Sequence, residues 1–301
     1  MGRGPARLLR ALLLAAAVSM VPACGASGAA GERGGGLRVV AAENFYGSLV
    51  SAIGGDHVSV TSILSDPQAD PHLFAAGSSN GLAVSKAKVV IRNGAGYDNW
   101  MDRLLKAAPS SSRVEVDIAD VLGVHGDDAN PHLWYDVPRM RDVVRAIAAA
   151  LTKADGAHAA DYDRGSTTML SRLQPLEDEL DSLRRAHAAE PVAYTERVPE
   201  LMLRAAGLTI RTPAAFARAI EDGSAPAPAD VRTMEDLINH RQVKVLIYNE
   251  QAVSQLTRHL KELAEAADVP VVGVTETMPR DQTFVAWQVN QVHHLAQALT
   301  Q

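Results

Sequence analysis

From about His158 to His187 the chain carries no strand signal, and Met169, Leu173, Leu176, Leu180 and Leu183 recur at intervals of four, three, four and three. That spacing draws one apolar stripe along a helix whose other faces are charged. Some thirty residues at roughly 1.5 Å each would reach about 45 Å, enough to cross a whole molecule. Pro175 lies in the middle and should kink the helix, because it removes a hydrogen bond and crowds the preceding turn. A helix of this length divides the chain into two halves.

Both halves read the same way. Before the helix, "LRVVAAE", "HVSVTSIL", "KVVIRNG" and "RVEVDIAD" are strand-like, and "ENFYGSLVSAIGG", "SSNGLAVSKA", "YDNWMDRLLKAA" and "VPRMRDVVRAIAAALTKA" are helix-like. After it, "PVAYTE", "LTIR", "VKVLIYNE" and "VPVVGVTE" are strand-like. They are separated by helical "VPELMLRAAG", "ADVRTMEDLINHR" and "VSQLTRHLKELAEAA", and "QTFVAWQVNQVHHLAQALT" closes the chain as a helix. The Pro-Gly-Ala-rich "EDGSAPAPAD" reads as a surface loop. Strands alternating with helices imply parallel βαβ units. The predicted fold is α/β: two α/β lobes, residues 37–156 and 190–301, joined by a single long linker helix at 157–189, with a cleft between the lobes. The folded part, about 265 residues, suits two lobes better than one.

The N-terminus bears on location. Arg3, Arg7 and Arg10 give a positive N-terminal region, and "LLRALLLAAAVSMV" is an apolar run too short to span a bilayer comfortably. Residues 1–23 are expected to be a signal peptide. The following "VPAC" resembles the lipobox of bacterial lipoproteins, which implies cleavage before Cys24 and acylation of its sulfur; an ordinary signal peptide with an incidental cysteine is the alternative. Residues 24–36, "CGASGAAGERGGG", read as a lipidated flexible tether. The expected location is therefore extracytoplasmic, held at the membrane surface by an anchor rather than threaded through it. Cys24 is the one cysteine, so no internal disulfide is available and any metal site must be built without thiolates. Removing the three arginines takes the formal charge from −6 to −9, a balance that argues against nucleic-acid binding.

Two loops are nearly the same. "ADPHLFAAG" places His72 after Pro71, and "ANPHLWYDV" places His132 after Pro131. Proline fixes its own φ and restricts the residue before it, so each loop offers its imidazole with little conformational freedom. In open α/β sheets ligands bind beyond the carboxyl ends of the strands. His72 and His132 follow predicted strands of the first half; Glu196 ends "PVAYTE", Glu276 ends "VPVVGVTE", and Glu250 ends "VKVLIYNE" as a third carboxylate of the same kind. Two imidazoles and two carboxylates form an N/O donor set suited to Mn²⁺, Fe²⁺ or Zn²⁺. Asp136 or Tyr135 is a candidate hydrogen-bond partner of His132. The remaining histidines, His57, His158, His187, His240, His259, His293 and His294, show no partner pattern, and Trp100, Trp134 and Trp287 suit core or cleft wall.

Nearly end to end, the mature chain resembles the zinc- and manganese-binding solute-binding proteins of bacterial ABC importers, the cluster A-I group. Asp70-Pro71-His72 matches that family's DPH motif, "NGAGYDNW" (Asn93 to Trp100) a modified form of its NGxxLExW, and "NPHLW" its second D/NPHxW motif. The third ligand, His or Glu, precedes a helix ending in YGL, and "TERVPELMLRAAGL" puts Glu196 there. The fourth, usually Asp, follows a late VP-strand-T, and "VPVVGVTE" puts Glu276 there. The resemblance implies two lobes on one rigid helix, metal ligands His72, His132, Glu196 and Glu276, and capture of Mn²⁺ or Zn²⁺ outside the membrane. Delivery would be to a cognate permease driven by a cytoplasmic ATPase, from a monomeric, non-enzymatic protein. Three departures stand: Glu276 replaces Asp, Glu250 competes with it, and the His-rich loop of zinc members is reduced to "GVHGDDAN" with His125 alone. Glu196 rather than His resembles manganese or iron binders more than zinc binders, whereas the Irving–Williams order favours Zn²⁺ over Mn²⁺ at most N/O sites. Two other readings are a surface adhesin and a metallohydrolase. Nothing in the sequence supplies an adhesive module, and there is no HExxH; four protein ligands would also fill the sphere that a catalytic metal leaves open.

Overall fold

The computed structural model describes Met1, residues 35–126 and residues 128–301. The expected signal peptide beyond Met1, Cys24 and nearly all of the tether lie outside the described residues. The first lobe contains β1 (Leu37–Glu43), α1 (Asn44–Gly54), β2 (Val58–Leu64), α2 (Ser78–Lys86), β3 (Val89–Arg92), α3 (Asn99–Ala107), β4 (Val114–Asp117), α4 (Ile118–Leu122) and α5 (Met140–Ala154). Helix α6 (Ala159–His187) follows. The second lobe contains β5 (Pro191–Tyr194), α7 (Glu200–Ala205), β6 (Thr209–Ile210), α8 (Ala214–Glu221), α9 (Pro228–Asn239), β7 (Val245–Asn249), α10 (Gln255–Ala266), β8 (Val271–Val274) and α11 (Phe284–Leu299).

Each lobe has a four-stranded parallel sheet, ordered β2-β1-β3-β4 in the first and β6-β5-β7-β8 in the second. The second order repeats the first, and in both the chain reverses its direction of travel between the two central strands, where α/β sheets open a binding crevice. Strand position explains the sequence patterns. Central β7 is buried at every residue and reads as a continuous apolar run, whereas edge β2 alternates over its first half.

Three elements differ from expectation. The run "RVEVDIAD" stops being a strand at Asp117, because that carboxylate accepts from the backbone N–H of Asp120 and caps α4. The strand expected at "LTIR" is two residues long, and α8, with Phe216 and Ala217 buried, was not anticipated.

All five residues of the apolar stripe on α6 are at most 4% exposed. The helix runs through Pro175 and packs against α1 and α5 of the first lobe and α11 of the second. Gly165 permits the approach to α1, since a Cβ there would sit 2.0 Å from the Ile53 carbonyl oxygen. Arg141 on α5 grips Glu177 on α6 through two hydrogen bonds of 2.6 Å. One apolar core passes through both lobes: Val39, Phe45 and Trp134 share it with Leu173 and Leu176 of α6 and with Ile247 and Trp287 of the second lobe. Leu176→Ala in this core should cost about 2–5 kcal/mol.

Candidate metal centre

The two Pro-His loops are built by the same local device. Asp70 and Asn130 sit two residues before a histidine, and each uses its side-chain oxygen to accept that histidine's backbone N–H, at 2.9 and 3.0 Å. Proline between them starts a tight 3-10 turn at Pro71–Leu73 and precedes another at Leu133–Tyr135. Asn130 does more. Its Nδ2 donates to the Arg197 carbonyl, which fixes the amide, and its Oδ1 takes Nδ1 of His132 at 2.8 Å. Nδ1 is therefore the donor of that bond, and Nε2 is fully buried and without a hydrogen-bond partner.

The loop "NGAGYD" supports this arm. Asp98 receives the backbone N–H groups of Asn93 and Gly94, and Asn93 donates to the Pro131 carbonyl. Gly94 has φ +74°, and a Cβ there would meet the Asp117 carboxylate at 2.1 Å, so both conformation and space call for glycine.

The acids come from the second lobe, Glu196 just after β5 and Glu276 just after β8, with 1% and 0% exposure. His72 Nε2 lies 2.9 Å from Glu196 Oε1 and 3.5 Å from Glu276 Oε1. His132 Nε2 lies 3.6 Å from Glu276 Oε2, too long for a hydrogen bond. One donor atom each from His72, Glu196 and Glu276 falls within 4.8 Å of the others. Among the described residues, the ion pairs of both acids are with histidines alone.

Burial by itself would push His72 down, yet its hydrogen bonds to Glu196 and Glu276 and their charges raise it to about 11. Burial would raise Glu276, but the imidazoles of His132 and His72 hold it well below the ordinary carboxylate range. Tyr97 donates to Glu276 Oε2 at 3.1 Å, and burial together with that charge raises its phenol well above 10. His72 is the accessible donor, with a side chain 29% exposed at a hollow of about 420 Å³ lined by Leu73, Glu221 and Val253.

The structure brings His72, Glu196 and Glu276 together, and His132 faces Glu276 beside them. Glu250 does not join them: it is exposed and lies against Gly273 on the other face of its sheet. Its neighbour Asn249 points inward instead, donating to Glu196 Oε2 at 2.6 Å and Glu276 Oε1 at 2.8 Å. The partner expected for His132 is also corrected. Tyr135 donates to the Thr275 carbonyl and Asp136 faces Arg139, so the role falls to Asn130. Gln251 was not anticipated either. Its amide group donates to the Pro67 and Ala69 carbonyls and to Thr277, while its oxygen accepts the backbone N–H groups of Glu276 and Thr277. Most of the outlying histidines pair with acids near the surface, as in His57 with Asp161 and His293 with Glu179.

Two parallel α/β lobes on one long helix, with an N/O donor set divided between them, define a two-lobed binding scaffold. The family model described as "ZnuA: Zinc-uptake complex component A periplasmic" matches residues 39–298, and the chain belongs to that family, one of transporter substrate-binding components rather than enzymes. Relatives include the manganese-binding lipoprotein MntA of Halalkalibacterium halodurans, 32% identical over 149 residues, 49% of this chain and 49% of that one. The protein of the same name in Bacillus subtilis (strain 168) is 24% identical over 77% of this chain and 76% of its own length. The chain spans about half the length of some curated relatives it matches, 49% of the Halalkalibacterium protein and 52% of one from Treponema pallidum (strain Nichols). Among solved structures, the periplasmic zinc binding protein TroA from Treponema pallidum aligns with a TM-score of 0.74 over 88% of this chain and 99% of that one. Its identity is 18%, so this likeness shows the fold alone.

Proposed function

We propose that this protein captures a divalent transition metal ion, Mn²⁺, Fe²⁺ or Zn²⁺, between its lobes outside the cytoplasmic membrane and passes it to the permease of an ABC importer. One observation carries the reading: two fully buried acids face two imidazoles, one with a buried Nε2 that has no hydrogen-bond partner, and no arginine or lysine among the described residues pairs with either acid. Buried carboxylates without a cation are costly. With His72 raised to about 11 by those acids, a proton on it would supply the compensating charge in the metal-free protein, and a metal ion would replace it.

His72, His132, Glu196 and Glu276 are the ligands in this reading. Asn130 orients His132 as outer partners of metal-bound imidazoles do. The metal enters and leaves past His72. The names of the relatives agree with a metal cargo, zinc for one and manganese for another. The membrane anchor is the acylated Cys24, and the permease and its ATPase are separate chains.

The test is elemental analysis of the purified protein with competition titration of Mn²⁺ against Zn²⁺. Tight binding of one ion per chain, lost in His72→Ala and His132→Ala, is the expected result. Binding that survives both substitutions would remove the site.

A further inference from the structure

We propose that Asn249, which binds no metal, is a specificity-determining residue: it holds Glu196 and Glu276 to one metal-facing oxygen each and thereby favours a four-coordinate ion. The proposal rests on the metal-capture reading above.

Topology puts Asn249 between the acids. It is the last residue of β7, the strand between β5, which leads to Glu196, and β8, which leads to Glu276. The pair Tyr194–Ile247 is in register, so Glu196 lies level with Asn249 two residues further on. A single nitrogen then serves both acids, with one hydrogen to Glu196 Oε2 at 2.6 Å and the other to Glu276 Oε1 at 2.8 Å. The amide cannot turn over without loss, because its Oδ1 accepts the Gln251 backbone N–H at 3.0 Å. Its own N–H is tied to Thr195 Oγ1, next to Glu196. Asn249 is 1% exposed, so water does not compete for these bonds.

The residue type matters. A lysine here would neutralise the acids and displace a metal, an aspartate would add a third negative charge, and an apolar residue would leave two buried anionic oxygens without donors. The amide satisfies both oxygens while leaving the acids charged. It also fixes their span and the rotation of each carboxylate plane. Glu196 Oε1 stays turned to His72. Glu276 Oε2, which also accepts from Tyr97, stays turned to His132. One oxygen from each acid plus two imidazole nitrogens makes four donors, the number zinc takes in closed sites. Mn²⁺ prefers more oxygens in an octahedral arrangement, which these acids could supply only by swinging to present both.

The experiment is a chelator-competition titration of Zn²⁺ and of Mn²⁺ on the parent, Asn249→Ala and Asn249→Ser. Serine keeps polarity but has one hydrogen, so it can serve only one acid; it also provides a second test should the alanine variant fold poorly. The Zn²⁺-to-Mn²⁺ affinity ratio should fall by about tenfold or more in both variants, the scale on which partners of metal ligands act. A purely structural role would lower both affinities together, and a ratio within about twofold of the parent's would overturn the proposal. His72→Ala is run alongside. If it binds as the parent does, the site itself is misassigned and both readings fall; if it loses binding while the Asn249 variants keep the parental ratio, only the clamp is wrong.

Discussion

Gln251→Met tests how the two ligand-bearing lobes are held in register. The Gln251 amide nitrogen reaches the Pro67 carbonyl at 2.8 Å, the Ala69 carbonyl at 3.2 Å and Thr277 Oγ1 at 2.6 Å. Its oxygen takes the N–H of Glu276 at 2.5 Å and of Thr277 at 3.0 Å. The first two bonds end on the loop that carries His72, and the last two on the segment that carries Glu276, so one side chain ties a donor of each lobe to the other. Methionine keeps the volume and removes every bond, which separates hydrogen bonding from cavity formation. Glu276 and Thr277 are both fully buried, and each N–H left dry costs about 1–3 kcal/mol; with some relief from water at the half-exposed carbonyls, the net loss should be about 3 kcal/mol. The assay is urea unfolding of the metal-free protein, followed by Zn²⁺ titration of the folded variant. Metal affinity should weaken as well, because the His72 loop loses its fixed distance from Glu276. A stability loss below about 1 kcal/mol together with unchanged affinity would refute the reasoning.

Glu250→Ala should leave metal affinity unchanged, since its carboxylate lies outside the cleft, whereas His132→Ala should lower affinity by orders of magnitude with the fold intact by circular dichroism. Zn²⁺ binding at pH 8 should release close to one proton, measured by calorimetry in buffers of different ionisation enthalpy, because His72 is raised to about 11 in the metal-free protein. The same raised value stabilises the metal-free fold fully below the ordinary histidine range near 6.5, and that contribution is lost as pH rises through about 11. Affinity correspondingly falls as pH drops, and a release near zero protons would contradict the protonated His72. Glu43 is buried with both oxygens unpartnered, and burial, then the charge of Asp98, raises it well above its ordinary value. Folding therefore loses stability as pH rises past the ordinary carboxyl range. Glu43→Gln should gain about 1–3 kcal/mol in thermal or urea unfolding at pH 8 and little near pH 4, and a destabilised variant at pH 8 would contradict this.

What could and could not be read from the sequence follows from how each signal is encoded. The long helix was legible because its stripe is periodic over five residues that are all buried. His72 and His132 were legible because an Asx residue, a proline and a histidine make a self-contained turn, independent of anything distant. The same local rule assigns Asn130 to His132, since an Asx side chain reaches two residues forward, whereas Tyr135 is drawn to the distant Thr275 carbonyl and Asp136 to Arg139 on the next turn. Glu250 against Asn249 was a different problem. Successive side chains of a strand point to opposite faces, and a one-residue change of phase exchanges them. An edge strand such as β2 shows its phase by alternation, but β7 is buried on both faces along its whole length, so "VLIYNE" carries no mark of which face Glu250 takes. Gln251 follows by the same logic, its partners lying 182 and 184 residues away in one lobe and 25 and 26 in the other, separations over which no local pattern operates. Residues that hold a ligand by chain-local geometry are thus written in the sequence, whereas those that set the distance between ligands exist only once both sheets have formed.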